Sequence, residues 1–162
     1  MSGDQIRFIP YGCHNITEAD ILAVLEILRG PFLTQGPTVP DFEIALASRV
    51  RARFGVAVNS ATSALHIACL ALRLGPGDRL WTSPITFVAS ANCGLYCGAD
   101  VDFVDINPST GLMSIPALQE KLQRAERQGQ LPKILVPVHL AGTSCDMQAI
   151  GQLADRYGFK VI

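Results

Sequence analysis

The sequence of 162 residues predicts an α/β fold in which a mostly parallel sheet is covered by helices on both faces. Short apolar or β-branched runs alternate with longer stretches of helical period, which is typical of parallel strands joined through helices. No internal repeat or low-complexity stretch interrupts this alternation. The composition, with 49% hydrophobic and 17% charged residues, agrees with a globular domain rather than a disordered chain.

Two helices are predicted before the alternating part, over residues 18–29 and about 40–54. The first is indicated by Thr17, whose hydroxyl is placed to cap it, by acids in the first turn and by apolar residues recurring on one face. The second begins near Pro40, because proline is favoured in a first helical turn. Residues 1–55 are predicted to form an N-terminal helical segment, and residues 56–162 part of an α/β domain.

The alternating part is predicted to contain five strands and four helices. The charges of the third of these helices point outward along one face, so they indicate a solvated surface and no site. The strands are predicted over residues 56–59, 79–83, 101–104, 133–138 and 159–162, and the helices over residues 61–74, 86–97, 115–128 and 147–157.

The near balance of charge excludes partners that need a basic surface. Thirteen Lys and Arg residues against fourteen Asp and Glu residues give a net charge of −1, too little to hold nucleic acid or an anionic membrane. No window reaches the roughly 18 uncharged apolar residues of a membrane span. Residues 1–7 lack the basic start followed by an apolar core that is typical of a signal peptide. We therefore expect a cytoplasmic protein without a nucleic-acid or membrane partner.

The cysteines indicate reduced, mostly buried thiols rather than disulfides. Their number is odd and they form no CxxC pair. Cys93 and Cys97 would share a helix face and could in principle bind a metal, but no His or second Cys pair supports this. We expect no metal. The five are Cys13, Cys69, Cys93, Cys97 and Cys145.

Residues 59–66, NSATSALH, join a predicted strand to a predicted helix and are a candidate phosphate site. Small residues allow close approach of a ligand, and the first N–H groups of a helix point toward it with the positive end of the dipole. The alternative is a plain helix cap, in which Ser60 or Thr62 satisfies its own helix. Neither a GxGxxG nor a Walker A sequence is present, so the sequence does not favour the standard dinucleotide or nucleoside triphosphate sites.

Residues 82–92, TSPITFVASAN, form a second strand-to-helix junction on the same predicted edge of the sheet. Phe87 could stack there on a flat heterocycle, or it could simply belong to the core. His139 ends a strand on the same edge and is a candidate to face the site. His14 and His66 receive no role.

These motifs, with LTQGP at residues 33–37 and HLAG at residues 139–142, resemble the DegT/DnrJ/StrS family of sugar aminotransferases. The resemblance extends over nearly the whole chain. It implies the N-terminal part of the large domain of a fold-type I transferase that depends on pyridoxal 5'-phosphate. It further implies that the N–H groups of Ala61 and Thr62, with the Thr62 hydroxyl, bind the cofactor phosphate, and that Phe87 stacks on the pyridine ring.

The activity that the resemblance implies is amino transfer from glutamate to a nucleotide-linked keto sugar of the UDP-4-keto-6-deoxy hexosamine type. Such a reaction serves nonulosonic (pseudaminic) acid or related surface-sugar biosynthesis, and the complete form is expected to be a homodimer.

The catalytic lysine of the family and the aspartate that binds the pyridine nitrogen are expected beyond Ile162, together with a small C-terminal domain. Lys121, Lys133 and Lys160 do not match the catalytic position, so these 162 residues alone are expected to be inactive. Two alternatives stay open: a noncatalytic remnant with a phosphate-binding junction, and part of a pyridoxamine-dependent sugar dehydratase, in which the lysine is replaced.

Overall fold

The computed structural model describes Pro10 and residues 12–162. Residues 1–7, interpreted above as lacking a leader, lie outside the described residues. The chain forms two compact units, the first ending at Ala57 and the second running from Val58 to Ile162. Within the described part, no helix is long and apolar enough to cross a membrane.

The first unit contains helices α1 (Glu18–Arg29) and α2 (Thr38–Val50). The predicted bounds of α1 are confirmed, because Thr17 and Asp20 form a capping box in which each side chain accepts the other's backbone N–H. The prediction for α2 was wrong at its end by four residues. Arg51 adopts a left-handed conformation with φ 56°, which stops the helix.

The second unit is built on a sheet of four strands, β1 (Arg79–Thr82), β2 (Asp100–Phe103), β3 (Ile134–Val136) and β4 (Lys160–Val161). Their order is β2-β1-β3-β4, and every pairing is parallel. β3 is shorter than predicted, because Pro137 has no N–H to continue the ladder.

The predicted strand over residues 56–59 is wrong. No strand among the described residues pairs with this segment, and Val56 is 73% exposed. The Ala57 N–H donates to the Glu43 carboxylate at 2.7 Å rather than to a neighbouring strand. A strand exists only where a second strand supplies hydrogen-bond partners, and the apolar pattern of the segment does not reveal that partner.

Four helices cover the sheet: α3 (Ala61–Ala71), α4 (Ala89–Tyr96), α5 (Ile115–Gln128) and α6 (Met147–Tyr157). The predicted bounds of α5 and α6 are confirmed. α3 ends three residues earlier than predicted, where Arg73 takes a left-handed φ of 55°, and α4 begins three residues later than predicted. A short 3₁₀ turn, Leu140–Gly142, was not predicted.

Two apolar clusters confirm the α/β class with helices on both faces. On one face Trp81 and Leu135 pack with residues of α5 and α6, including Leu118. On the other face Leu80 and Ile134 pack with Cys69 of α3 and Cys93 of α4. Neighbouring residues of a strand thus contribute to opposite faces, as the pleat requires.

The thiols are distributed largely as expected: Cys69, Cys93 and Cys145 are buried, Cys97 is half-buried and Cys13 is exposed. None of these five described cysteines forms a disulfide. Across the described residues, no cluster of three or more His, Cys, Asp or Glu side chains is arranged to hold a metal ion.

The buried thiol of Cys69 is expected to resist alkylation. Burial raises its pKa from 9.0 to about 12, and the neighbouring thiols of Cys93 and Cys97 add to the shift. Since the thiolate is the nucleophile, Cys69 should be about a thousandfold less reactive near pH 8 than a thiol of ordinary pKa. Mass spectrometry after brief iodoacetamide treatment should show Cys13 modified first, and Cys69 only after denaturation. Equal rates at Cys13 and Cys69 in native buffer would contradict this burial.

Candidate functional site

The carboxyl ends of β1 and β3 form the edge on which the candidate site lies. Thr82 and Val136 are opposite each other in register, so the two strands end level. Phe87 follows β1, and His139 follows β3. Residues 72–78 connect α3 to β1, and the Arg73 carbonyl among them accepts Lys133 Nζ beside the start of β3, so α3 ends at the amino end of the sheet. A helix that packs antiparallel to its strand then begins at the carboxyl edge. Open parallel sheets bind ligands at this edge.

The N-terminus of α3 offers two backbone donors to a ligand. The Ser60 hydroxyl accepts the Ser63 N–H at 3.2 Å. Among the described residues no acceptor takes the N–H of Ala61 or Thr62, and the first turn contains no acidic side chain. The plain-cap alternative is therefore correct for Ser60, but it leaves two donors at the positive end of the helix dipole.

Of the hydroxyls around the start of α3, some are hydrogen-bonded within the described part of the chain and one is not. The Ser63 hydroxyl donates to Asn59 Oδ1 at 2.7 Å. Thr62 is half-buried, and its hydroxyl has no hydrogen bond to another described residue. Ala61, Thr62 and the Thr62 hydroxyl together form a small, neutral donor set that fits one phosphate group.

Phe87 is not a core residue, since its side chain is 75% exposed. The alternative that places it in the core is wrong. Its carbonyl accepts the Ser90 N–H at 3.1 Å, and the hydroxyls of Thr86 and Ser90 lie 2.8 Å apart, which ties the loop to the start of α4. An aromatic ring on a tethered loop is available to stack on a flat ligand.

His139 is exposed on the same edge and is held in one orientation. Its Nδ1 accepts the Cys145 N–H at 3.1 Å, so in the neutral ring the proton is on Nε2. The Cys145 thiol donates to the carbonyl of Val138 at 3.2 Å. His66 instead packs edge-on against Tyr96, with ring centroids 5.3 Å apart, so its ring has a packing role.

Sequence reasoning did not single out Ser83, which directly follows β1. Ser83 is 1% exposed, and its hydroxyl has no partner within the described part of the chain. The neighbouring Thr82 hydroxyl, by contrast, donates to the Val136 carbonyl at 2.9 Å. The only available signal was a Ser-Pro pair at the end of a predicted strand, which does not report burial.

The three lysines make contacts of their own in the second unit, and Lys121 Nζ donates to the carbonyl of Phe103, the last residue of β2, at 2.6 Å. Lys121 Nζ contacts the Asp102 carboxylate at 2.6 Å, and Lys133 Nζ contacts that of Asp78 at 2.7 Å. Lys160 begins β4 beside Ile134, at the amino end of the sheet. These positions agree with structural roles for all three side chains.

Comparison with known proteins decides the family. The sequence model of the DegT/DnrJ/EryC1/StrS aminotransferase family matches residues 14–162. The chain belongs to this family. Pyridoxal phosphate is the family's cofactor, and the structural neighbours are fold-type I aminotransferases, some of them solved with the cofactor in its PLP or PMP form.

Two curated relatives illustrate the similarity. The spore coat polysaccharide biosynthesis protein SpsC of Bacillus subtilis is 39% identical over 156 residues, which are 96% of this chain and 39% of SpsC. The UDP-4-amino-4-deoxy-L-arabinose–oxoglutarate aminotransferase of Shewanella sediminis is 37% identical over 156 residues, with the same two shares. The chain spans about two fifths of the length of these relatives.

The structure of NtdA from Bacillus subtilis with bound cofactor PMP superposes with a TM-score of 0.78 at 35% identity. The match covers 90% of this chain and 33% of NtdA. Within the family, the donors at the start of α3 and the exposed Phe87 ring are the described groups whose chemistry fits the phosphate and the ring of pyridoxal phosphate.

Proposed function

We propose that this chain provides the phosphate-binding part of a pyridoxal phosphate-dependent sugar aminotransferase. The observation that carries the proposal is the pair of unpartnered N–H groups, on Ala61 and Thr62, at the start of α3. They lie at the carboxyl edge of the sheet, where β1 ends and the loop with Phe87 begins. Dianionic phosphate is the ligand that such a helix terminus prefers.

Each residue has a separate task in this proposal. The N–H groups of Ala61 and Thr62 can only donate hydrogen bonds, and the Thr62 hydroxyl donates its O–H to the phosphate, so together they fix the position of the phosphate. Phe87 covers one face of the pyridine ring and limits its tilt. When bound, the cofactor carries the amino group between the two substrates and stabilises negative charge during proton transfer.

The proposed substrates are glutamate as amino donor and a nucleotide-linked keto sugar of the UDP-4-keto-6-deoxy hexosamine type as acceptor. The IPYG start at residues 9–12, together with the LTQGP and NSATSALH motifs, resembles the corresponding motifs of UDP-4-amino-4,6-dideoxy-N-acetyl-β-L-altrosamine transaminase, an enzyme of pseudaminic acid synthesis. The names of the two relatives, one in polysaccharide biosynthesis and one acting with oxoglutarate on a UDP-linked amino sugar, support a sugar nucleotide. We further propose a cytoplasmic homodimer, whose catalytic lysine and pyridine-binding aspartate follow Ile162.

The substrate proposal is tested with the protein in the form that its gene encodes. Mixed with pyridoxal phosphate, glutamate and a UDP-4-keto-6-deoxy-N-acetylhexosamine, it should yield 2-oxoglutarate and the corresponding UDP-amino sugar, both detected by mass spectrometry. Release of 2-oxoglutarate without an aminated sugar would contradict the proposed acceptor, but it would not contradict the proposed cofactor site.

Replacing Thr62 with Val should weaken the binding of pyridoxal phosphate roughly tenfold, because a hydrogen bond to a charged phosphate is lost while the shape of the side chain is kept. Thr62→Ser retains the hydroxyl and is the matched control, with an affinity close to that of the wild type. The measurement is an equilibrium titration followed by cofactor absorbance. If Thr62→Val and the wild type bind pyridoxal phosphate with equal affinity, the Thr62 hydroxyl does not contact the phosphate.

A further inference from the structure

The turn that follows β3 carries an exposed histidine, His139, at the carboxyl edge of the sheet. β3 ends at Val136, opposite Thr82 at the end of β1, and His139 is the third residue after Val136. Neighbouring strands lie about 4.8 Å apart, so the chain leaves β3 toward His139 beside the point where it leaves β1 toward Phe87. His139 therefore belongs to the same edge of the sheet as the proposed cofactor site.

One ring nitrogen of His139 holds the ring in place, and the other carries its proton. Nδ1 accepts the Cys145 N–H at 3.1 Å, which places the proton of the neutral ring on Nε2. Nε2 makes no hydrogen bond to another described residue, and the side chain is exposed, so a ligand can reach the ring. Because the bond at Nδ1 fixes both the tautomer and the ring direction, Nε2–H is a donor with a set direction.

Cys145 connects this ring to the packed interior. Besides the N–H that binds His139, the Cys145 thiol donates to the Val138 carbonyl at 3.2 Å, so Cys145 contacts the turn at two neighbouring residues. Cys145 is itself buried, in the apolar cluster that α5 and α6 form with the sheet. The direction of the His139 ring is therefore set by a core residue rather than by a mobile surface contact.

The residues that follow His139 are held in a strained conformation. Ala141 has a left-handed backbone, with φ 52° and ψ 28°, which a residue with a Cβ adopts at a cost in energy. On the other side of the turn, Leu140 packs so closely on the loop after β2 that a Cβ added to Gly111 would lie 2.6 Å from Leu140 Cδ2. Strain of this kind persists where the surroundings hold the chain, and such positions are concentrated at ligand sites.

A fixed, exposed N–H donor is suited to an oxygen that carries negative charge. The other proposed donors at this edge, the N–H groups of Ala61 and Thr62 and the Thr62 hydroxyl, are assigned to the cofactor phosphate. His139 is therefore available for a second anionic group. Pyridoxal phosphate carries one besides its phosphate, the phenolate oxygen on its ring, and the proposed amino donor glutamate carries carboxylates.

We propose that His139 is a positioning residue of the cofactor site and that its Nε2–H donates a hydrogen bond to an anionic oxygen. The oxygen is supplied either by the ring of pyridoxal phosphate or by a carboxylate of the amino donor. This inference rests on the proposed function, because the ligand is the one assigned there. His139 keeps its proton and orients the ligand.

The test is an NMR titration of the protein in the form that its gene encodes, labelled with ¹³C at histidine Cε1. The His139 signal is identified by its loss in His139→Asn. The protein is titrated at pH 8 with pyridoxal phosphate, and then with glutarate, a dicarboxylate without an amino group to transfer. A saturable shift of the His139 signal with pyridoxal phosphate assigns the phenolate oxygen, and a shift only after glutarate is added assigns a carboxylate; both results support the proposal.

The same titration separates failure of this proposal from failure of the proposed function. If the amide signals of Ala61 and Thr62 shift with pyridoxal phosphate and the His139 signal shifts with neither compound, the role of His139 is overturned and the phosphate site stands. If neither the amide signals nor the His139 signal shift, both proposals are overturned.

Two substitutions distinguish the nitrogens of His139. His139→Asn keeps an acceptor near Nδ1 for the Cys145 N–H but has no donor at the position of Nε2, whereas His139→Gln places an amide N–H near Nε2. Affinity for the compound that shifts the His139 signal should fall about tenfold in His139→Asn, with an unchanged melting temperature, and be partly restored in His139→Gln. His14→Asn, the same change at an exposed histidine of the first unit, should have no effect. An unchanged affinity in His139→Asn, or equal losses in both His139 variants, would overturn the proposal.

Discussion

Replacing Leu118 with Ala should lower the free energy of unfolding by about 2–5 kcal/mol, because the side chain is fully buried and a cavity replaces it. Leu118 lies in the cluster that joins α5 to the sheet through Trp81 and Leu135. Urea denaturation followed by circular dichroism and by Trp81 fluorescence measures the change. A loss of this size is a large part of the stability of a typical domain.

The adjacent Gln119 provides the control for Leu118. Gln119 is exposed on the outer face of α5, and its replacement with Ala should change the free energy of unfolding by no more than about 0.5 kcal/mol. A Leu118→Ala variant as stable as Gln119→Ala would mean that α5 does not pack on the sheet as described.

Replacing Ala61 with Pro removes one of the two proposed phosphate donors and should weaken the binding of pyridoxal phosphate by about tenfold or more. The fold should tolerate this change. Ala61 is the first residue of α3, where proline is favoured, and Ser60 before it is extended, with φ −162° and ψ 157°, as a residue preceding proline should be. The melting temperature should therefore be unchanged or slightly raised.

Ala61→Gly is the comparison variant, since it also changes the side chain but keeps the N–H. Its affinity for the cofactor should remain close to that of the wild type. Equal affinities of Ala61→Pro and Ala61→Gly would show that the Ala61 N–H does not contact the phosphate, and a melting temperature lowered by proline would show that α3 begins elsewhere.

The sequence predicted best the elements whose ends are defined by local signals. α5 begins after the Ser114 cap and ends at Gly129, which has a left-handed φ of 64°; α6 begins after the Asp146 cap and ends at Gly158, with φ 79°. Caps and glycines act within one turn, so they can be identified without knowledge of the fold. The strand predicted over residues 56–59 failed because pairing depends on distant segments.

The same distinction applies to the candidate site. The start of α3 and the Phe87 loop were identified because a strand-to-helix junction with small residues is a local pattern. The hydrogen bond from the Cys145 N–H to His139, the buried hydroxyl of Ser83 and the unpartnered Nε1 of Trp81 were not predicted. Each results from tertiary packing between segments that the sequence does not mark as neighbours.

The most direct test of the central claim is a ¹⁵N-resolved NMR titration of the chain with pyridoxal phosphate and, in parallel, with pyridoxal, which lacks the phosphate. If the α3 terminus holds the cofactor phosphate, the amide signals of Ala61 and Thr62 shift most with pyridoxal phosphate and remain nearly unchanged with pyridoxal. Equal shifts with both compounds, or the largest shifts at residues away from the start of α3, would contradict the claim.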